Sequence, residues 1–405
     1  MKRVVITGIG IHSSIGTNIE EVTTSLKKGK SGIAIDNERI LYGYNSPLVG
    51  LVPPVGLKDI LPRNLRVNLS EAAEYAYVAT KQALDSAKID DAFLEQNEIG
   101  IIYGNDSSVK EAILSHEKIL KYQNTSCVGS GAIFRTMNSS ISMNLSTIFR
   151  LKGINMTISA ACASGALSIG QGFQMIRDGL QDIIICGGGQ EINHYALASF
   201  DALKIFSQNT ENPVTALRPF DIRRNGLVPS GGAATLIIEE YDHAQSRGAQ
   251  IYAEIIGYGF SSNGVGISEP SVDGAKRAMK RAIDSSNVPV NRIDYINAHA
   301  TSTPKGDAAE SIAIKELFRS LHTPISSTKS MTGHECWMAG ASELIYTIIM
   351  MQESFIAPNI NFEIPDEYST GLNIISQPTP KNLNICLSNS FGFGGTNSTL
   401  IIKKL

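Results

Sequence analysis

The sequence predicts an α/β fold, because short strand-like runs alternate with helical stretches along most of its 405 residues. The runs are rich in β-branched residues and are often followed directly by glycine. The stretches between them are rich in alanine and lysine at helical spacing. Such alternation is typical of a mostly buried sheet with helices on its faces. Hydrophobic residues make up 42% of the chain, which is sufficient for a large core.

In chain order, strands are predicted at residues 3–7, 99–103, 182–186, 234–238, 251–256, 293–297, 385–388 and 398–402. Helices are predicted at residues 70–87, 274–286, 306–319 and 341–352. A further, largely buried helix is predicted after Cys162, which places this cysteine at a helix N-terminus. Residues 35–65 and 105–150 are predicted to be loop-rich insertions, which often carry binding surfaces and subunit contacts.

The chain also divides near residue 250 into two parts of similar pattern. Each part contains several strands and a glycine-flanked polar segment, and each ends in an apolar strand followed by charges, Ile237-Ile-Glu-Glu and Ile401-Ile-Lys-Lys. We therefore predict two halves, residues 1–250 and 251–405, that arose by internal duplication. No residue-level repeat between them is evident.

Composition excludes several classes of protein. A formal net charge of -3 argues against a general nucleic-acid binder. The five cysteines are widely spaced and form no Cys-x-x-Cys pair, which argues against a disulfide framework and favours a cytoplasmic location. The N-terminus resembles a first strand and not a signal peptide. The longest apolar stretches are shorter than the roughly 20 residues that cross a bilayer, so no membrane insertion is expected.

Cys162 is the candidate nucleophile. It lies in Thr157-Ile-Ser-Ala-Ala-Cys-Ala-Ser-Gly165, where small neighbours leave room for an acyl group beside the sulfur. A thiol attacks as thiolate, and a helix N-terminus favours that anion. The alternative is a buried structural cysteine, which is the interpretation we give to Cys186 and Cys386.

His299 and His334 are the candidate proton-transfer groups. They lie in Asn297-Ala-His-Ala-Thr-Ser-Thr303 and Lys329-Ser-Met-Thr-Gly-His334, and their spacing does not suit a zinc site. Lys329 and Glu343 could orient or polarise the His334 imidazole, or they could be solvated charges. The remaining histidines are interpreted as packed or surface residues: His12, His116, His194, His243 and His322.

A fourth segment, Asn389-Ser-Phe-Gly-Phe393-Gly-Gly-Thr-Asn397, is too rich in glycine for a strand interior and allows close backbone approach to a ligand. A glycine loop can also bind phosphate. However, the chain has neither a Gly-x-Gly-x-x-Gly unit that opens a helix nor a Walker sequence. An oxyanion donor is therefore the preferred interpretation.

Together these four segments resemble those of the β-ketoacyl-[acyl-carrier-protein] synthases, most closely the synthase I and II subgroups. The resemblance covers nearly the whole chain and implies a thiolase-like fold, in which duplicated βαβαβαββ halves form a five-layered α-β-α-β-α core. It further implies that Cys162 takes an acyl group from a carrier-protein thioester. His299 and His334 would then assist decarboxylation of malonyl carrier protein, and the enolate would attack the Cys162 thioester.

The resemblance also implies roles for other residues. The amides of Cys162 and Phe393 would form an oxyanion hole, and Phe393 would be a gate. Thr301 and Thr303 would hold the phosphopantetheine arm, while Phe200 and Phe391 would line the substrate site. A structural monovalent cation near Asn297, Glu343, Ser388 and Asn389 is implied, but no catalytic metal and no cofactor. The expected partners are an acyl carrier protein, docked on Arg63, Arg66, Lys118 and Lys121, and a second copy of the chain in a homodimer.

The sequence departs from the family at Trp337, where relatives carry small residues, and near Ser107, where relatives carry small apolar ones. The indole could narrow the acyl tunnel, favour flat unsaturated chains, or belong to ordinary core packing. These departures suggest a specialised synthase, such as one of an aryl-polyene or similar secondary pathway.

Three rival interpretations are weaker. A coenzyme A-dependent thiolase would need a second cysteine in the segment 389–397, which has none. A non-catalytic chain-length partner would lack Cys162. A hydrolase with a Cys-His pair would leave one histidine loop without a role.

Overall fold

A computed structural model describes residues 1–319 and 322–405 of the chain. The strands are β1 (Val4–His12), β2 (Ile33–Ile35), β3 (Leu48–Gly50), β4 (Ile99–Gly104), β5 (Asn155–Ile158), β6 (Ile183–Gln190), β7 (Gly232–Glu240), β8 (Ala253–Ser262), β9 (Tyr295–Asn297), β10 (Pro324–Ser326), β11 (Phe355–Ile356), β12 (Asn373–Ile374), β13 (Thr379–Pro380), β14 (Ile385–Phe391) and β15 (Thr396–Lys403). The α-helices are α1 (Ile19–Lys28), α2 (Asn37–Leu41), α3 (Arg63–Arg66), α4 (Glu71–Ser86), α5 (Asp91–Gln96), α6 (Lys110–Tyr122), α7 (Ala132–Thr136), α8 (Ser140–Ile148), α9 (Ser164–Arg177), α10 (His194–Ala202), α11 (Tyr241–Ser246), α12 (Val272–Ser286), α13 (Pro304–Phe318), α14 (Lys329–Thr332) and α15 (Ala339–Glu353).

One eleven-stranded sheet contains the same strand order twice. The first half has the order β5-β4-β6-β7-β1, and the second has β10-β9-β14-β15-β8, with β12 added at the outer edge. In both halves the first three neighbours pair in parallel and the last two pairings are antiparallel. Three residue pairs join the halves where β1 meets β8. The duplicated topology expected from the resemblance is confirmed.

The helices complete five layers. α4 and α8 cover the outer face of the first half-sheet, α12 and α13 cover the second, and α9 and α15 lie between the two. Each β-α interface has its own apolar cluster, and the largest surrounds the central helices. α15 is buried over most of its length, which explains why its sequence is apolar on all sides.

A short glycine pattern repeats between the halves and permits close packing of helix on sheet. A Cβ at Gly10 of β1 would lie 2.0 Å from the carbonyl oxygen of Ala79 in α4. A Cβ at Gly259 of β8 would lie 2.2 Å from the carbonyl oxygen of Ala278 in α12. Only glycine allows either helix to sit so close to its strand. This Gly-x-Gly is a residue-level trace of duplication that the sequence analysis missed.

All eight predicted strands and all five predicted helices overlap observed ones. The prediction that residues 105–150 are loop-rich is wrong, because they contain α6, α7 and α8. α6 has no buried residue, and its apolar side chains Ile113 and Leu120 are exposed, so its pattern is weak. Within residues 35–65, helix and strand are short, as expected of an insertion. Among the described residues, no helix is long and apolar enough to cross a membrane.

Candidate active site

Cys162 lies in a three-residue 3-10 turn, Ala161–Ala163, that opens α9. The expected position at a helix N-terminus is confirmed. The turn begins with Ala161 at φ 46°, a left-handed conformation that is costly for a residue with a side chain. Asp106 holds it there, because its carboxylate accepts a 3.0 Å hydrogen bond from the Ala161 amide. This tight turn points the thiol away from the helix and towards the histidines.

The thiol is buried and faces an imidazole. Sγ of Cys162 lies 2.9 Å from Nε2 of His334. Burial raises the pKa of Cys162 to about 12, although Lys329 and the backbone amides of Phe393 and Cys162 act in the opposite direction. The resting thiol is therefore protonated, and its S–H donates to Nε2. The same two amides, which hydrogen-bond the sulfur, are the donors expected of an oxyanion hole.

The two histidines form a perpendicular pair beside the thiol. Their ring centroids lie 5.3 Å apart at an interplanar angle of 86°. His299 follows β9 and His334 follows α14, so two separate loops of the second half bring them together. Burial lowers the pKa of both well below that of a free histidine, and the charge of Lys329 lowers it further. Both imidazoles are therefore neutral at physiological pH.

Lys329 forms a buried ion pair with Glu343 of α15 and makes no hydrogen bond to either imidazole. Both side chains are about 1% exposed. Burial raises the pKa of Glu343 to about 7, and the ammonium of Lys329 opposes that rise. Lys329 therefore acts on His299 and His334 through space, as a positive charge that keeps them unprotonated, and the interpretation of Lys329 and Glu343 as solvated charges is wrong.

The sequence analysis missed Glu310, which fixes the His299 loop. Its carboxylate accepts hydrogen bonds from the amides of His299 and Ala300, at 3.0 and 2.8 Å. Asn389 of β14 donates a third, at 2.9 Å. A polar residue on the buried side of α13 was the available signal.

The His334 loop is fixed by backbone pairing. Its amide donates to the carbonyl of Val228 at 2.7 Å, and its carbonyl accepts from the amide of Ser230 at 2.8 Å. The next residue, Glu335, is buried and accepts from Ser342 and from the Tyr346 hydroxyl. Burial raises the pKa of Glu335 to about 8. Glu335 was also missed, since a single glutamate beside a histidine carries no pattern.

A cavity of about 590 Å³ opens onto the thiol and both imidazoles. Thr301, Thr303, Phe200, Phe391 and Phe393 also line it, so the structure brings together most of the predicted site residues. The hydroxyls of Thr301 and Thr303 lie 3.0 Å apart. Phe393 stacks on Phe200 with ring centroids 6.4 Å apart. The residue after Phe393 has a φ of 74°, a conformation that favours glycine, and this residue is Gly394.

Comparisons with known proteins agree with this geometry. The family described as "Beta-ketoacyl synthase, N-terminal domain" matches residues 1–244, and its C-terminal counterpart matches residues 252–363. The chain belongs to the beta-ketoacyl synthase family. It is therefore an acyltransferase, as the sequence predicted.

Individual relatives are similar to this synthase over their whole length. The 3-oxoacyl-[acyl-carrier-protein] synthase 1 of Haemophilus influenzae is 41% identical over 408 residues, which cover all of this chain and 99% of the relative. A beta-ketoacyl synthase of Burkholderia phymatum has a TM-score of 0.95 at 34% identity, with full coverage of both chains. A type II polyketide ketosynthase in complex with its acyl-carrier protein has a TM-score of 0.89 at 26% identity, over 100% of this chain and 99% of that one.

Trp337 and Ser107 of this synthase do not line the cavity. The indole is 5% exposed and packs against Cys162, Cys336 and Phe200. Its Nε1–H donates to Oγ of Ser107 at 3.3 Å. Both residues therefore lie outside the lining of the cavity, where Trp337 packs against the thiol.

The four predicted docking residues lie on two helices of the first half. Arg63 and Arg66 belong to α3, and Lys118 and Lys121 to α6. Arg135 of α7 bridges these helices, because it donates to the carbonyl of Val67 and to Glu111. One side chain thus links the end of α3 to the start of α6.

The residues predicted near a cation are partly suited to one. Oε2 of Glu343 and Oγ of Ser388 are buried and have no hydrogen-bond partner among residues 1–319 and 322–405. Asn297 donates to the Glu343 carbonyl at 3.2 Å. The side chain of Asn389 is already engaged by Glu310 and Thr399. No cluster of three or more His, Cys, Asp or Glu able to hold a metal was found in that part of the chain.

Proposed function

We propose that this chain condenses an acyl group, held as a thioester on Cys162, with malonyl-acyl carrier protein, and so elongates the acyl chain by two carbons with loss of carbon dioxide. The observation that carries this proposal is the meeting of one thiol, two neutral imidazoles and two backbone amides at the end of a single cavity. The names of the relatives support the same reaction.

In the first step, Sγ of Cys162 attacks the carbonyl carbon of an acyl carrier-protein thioester. The developing oxyanion receives hydrogen bonds from the amides of Cys162 and Phe393. The S–H proton passes through Nε2 of His334 to the departing carrier thiolate. Acyl-enzyme and free carrier thiol result. Because burial keeps the resting thiol protonated, a neutral imidazole within hydrogen-bond distance is required for this attack.

In the second step, malonyl carrier protein enters the same cavity and loses carbon dioxide. The acylated sulfur no longer donates to His334, whose imidazole then loses its Nδ1 proton to solvent and takes one up on Nε2. His299 and His334, both as Nε2–H tautomers, donate to the enolate oxygen. The enolate carbon attacks the Cys162 thioester, and the 3-oxoacyl carrier protein leaves. Cys162 departs as thiolate and regains its proton from solvent. Lys329 favours the neutral imidazoles needed here and stabilises negative charge.

Other predicted residues have supporting roles in this proposal. The hydroxyls of Thr301 and Thr303 hydrogen-bond the pantetheine arm. Phe391 forms part of the cavity wall, and Phe393 moves off Phe200 as a gate. The arm belongs to an acidic acyl carrier protein that docks on the basic residues of α3 and α6. The reaction needs no cofactor. A monovalent cation near Glu343 and Ser388 would satisfy their unpaired oxygens and have a structural role.

The proposed homodimer is supported by the exposed end of the sheet. β5 pairs only with β4, so its outer edge is unpaired among the described residues. Met156 on this strand is 37% exposed, and Phe134 and Met137 nearby are 42% and 40% exposed. An exposed strand edge flanked by apolar side chains favours pairing with another chain. A second copy would also cover the surface near Ser107.

Intact-mass analysis with acyl and malonyl carrier proteins tests the proposal. Wild-type protein, first sized as a dimer by light scattering, should gain one acyl group, and Cys162→Ala should gain none. His299→Ala should still be acylated but should release carbon dioxide from malonyl carrier protein about 100-fold to 10,000-fold more slowly. Absence of an adduct on the wild type would contradict the proposal, and an adduct on Cys162→Ala would place the nucleophile elsewhere.

A further inference from the structure

The proposed reaction requires two separate spaces at Cys162. The acyl donor and malonyl carrier protein both reach the thiol through the threonine-lined cavity, one after the other. While the second pantetheine arm occupies that cavity, the acyl chain already on Cys162 must lie elsewhere. The region next to the sulfur that the cavity does not include lies beyond Cys336 and Phe200. What lies there sets the length of the acyl group that can be held during condensation.

In this chain an indole fills that position. Trp337 packs in one apolar cluster with Cys162 and Cys336, with Ala161 and Phe200 at its margin. The Trp337 and Phe200 ring centroids lie 6.0 Å apart at 49°. The indole is 5% exposed, so solvent does not separate it from the thiol. An acyl chain that extends behind Cys162 therefore meets the indole first.

The indole is held from both ends. Its N–H donates to Oγ of Ser107. Its backbone carbonyl is closely packed, because a Cβ at Gly188 would lie 2.6 Å from that oxygen and one at Gly165 would lie 3.0 Å from it. The turn cannot retreat into α9 or β6 without a clash. Only rotation of the ring, with loss of the Ser107 hydrogen bond, would open the space.

We propose that Trp337, positioned by Ser107, limits this enzyme to short acyl groups, of acetyl to butyryl size, and excludes long chains. This inference rests on the proposed function and specifies its substrate class. Flat polyenoyl chains are excluded together with saturated ones, because the ring blocks the path and leaves no slot beside it. Trp337 acts as a specificity-determining residue and takes no part in bond formation.

A carrier-protein series with acetyl, butyryl, octanoyl, dodecanoyl and octatrienoyl groups tests the limit. For the wild type, kcat/KM should fall by about a hundredfold or more from butyryl to dodecanoyl, since each methylene that cannot be accommodated is costly. Trp337→Ala should reduce that ratio at least tenfold. Trp337→Phe, the matched control, keeps a ring without the N–H and should give an intermediate ratio. The ratio for Ser107→Ala should be close to that for Trp337→Phe.

Two results would overturn the inference. One is a wild type that extends dodecanoyl or octatrienoyl groups as fast as butyryl. The other is a Trp337→Ala variant that folds and keeps the wild-type ratio. Failure of the proposed function looks different, because wild-type Cys162 would then accept no acyl group of any length.

Intrinsic fluorescence gives a second test. Trp337 is the only tryptophan in the chain, so emission reports on its surroundings alone. Acylation with butyryl should leave the emission maximum of a buried indole unchanged. A shift to longer wavelength on butyryl acylation would mean that even a short chain displaces the ring, and it would overturn the proposed limit. Trp337→Phe supplies the background signal.

Discussion

The 3-10 turns that open the two central helices occupy equivalent positions in the duplicated halves and carry different chemistry. Residues Ala161–Ala163 precede α9, and residues Cys336–Met338 precede α15. Each turn follows the third strand of its half and begins with a residue at φ 46°. The middle residue is Cys162 in the first turn and Trp337 in the second. Two equivalent positions of the fold are thus occupied by the nucleophile in one half and, in the other half, by an indole that packs against it.

Matching glycines bring these turns face to face. Gly165 and Gly340 each lie three residues after the middle of their turn. A Cβ at Gly165 would lie 3.0 Å from the Ala341 amide, and one at Gly340 would lie 2.5 Å from the Ala166 amide. α9 and α15 therefore cross with almost no gap between backbones. This close crossing explains why Cys162 and Trp337 share one cluster.

The residues that precede the two turns differ in charge. The residue just before the first turn is Ala160, and just before the second it is Glu335, with His334 and Lys329 close upstream. The first half supplies the reacting sulfur and one carboxylate, that of Asp106, which holds its turn. The second half supplies the imidazoles and the electrostatics. The two halves therefore have similar backbones but supply different side chains to the active site.

The largest effect should come from the buried charge of the second half. We expect Lys329→Met to lower the free energy of unfolding by about 3–5 kcal/mol, because it leaves Glu343 buried without a partner. The double variant Lys329→Met/Glu343→Gln should recover most of this loss, since no lone charge remains. Urea denaturation measures both.

A control is available in the same helix. Glu353, at the end of α15, forms a half-exposed pair with Lys27. Lys27→Met should cost less than about 1 kcal/mol, because exposed pairs contribute little. Equal urea midpoints for Lys329→Met and the wild type would contradict the expected cost of leaving Glu343 buried without a partner in the second half.

The next effect should be a dependence of stability on pH that arises at Glu335, the residue just before the second turn. Burial raises the pKa of Glu335 to about 8 from an ordinary 4.5, so the folded protein keeps a proton that the unfolded chain releases. The resulting stabilisation is complete below pH 4.5 and is lost as the pH rises through 8. Glu335→Gln, which resembles the protonated acid, should match the wild type near pH 4.5. At pH 9 it should be more stable by about 2–4 kcal/mol.

Thermal or urea unfolding across this pH range measures the difference. Glu353→Gln serves as the control, since it makes the same chemical change at a half-exposed carboxylate. A constant offset between Glu335→Gln and the wild type from pH 4.5 to 9 would show that Glu335 titrates normally in the folded protein.

The sequence predicted the α/β class and eight of the strands, because these depend on periodicity. It did not predict β5 and β10, the strands that precede the two turns. β5 has four residues and β10 has three, and neither lies in a longer strand-like run, as the three residues of β9 do. Glu310 and Glu335 were missed for a different reason. Their roles depend on burial among groups distant in sequence, which no local pattern records.

The role of Trp337 likewise depends on contacts with residues that are distant in sequence. The sequence identified the residue as unusual but left tunnel narrowing, unsaturated substrates and core packing open. Only the contacts with Cys162 and Ser107, across 175 and 230 positions of the chain, favour narrowing. The division of the chain at residue 250 stays a prediction, although the repeated strand order agrees with it.

The smallest effect concerns the backbone strain that the two turns share. Ala161→Gly should stabilise the protein by about 0.5–1 kcal/mol, because glycine adopts a positive φ without the steric cost, and this exceeds its extra freedom in the unfolded chain. Cys336→Gly should gain less, since it also removes a buried thiol. Ala163→Gly is the matched control: at φ -89° it relieves no strain and should cost about 0.5–1 kcal/mol. If Ala161→Gly and Ala163→Gly change the urea midpoint equally, the first turn is unstrained. Its likeness to the second would then be one of shape alone.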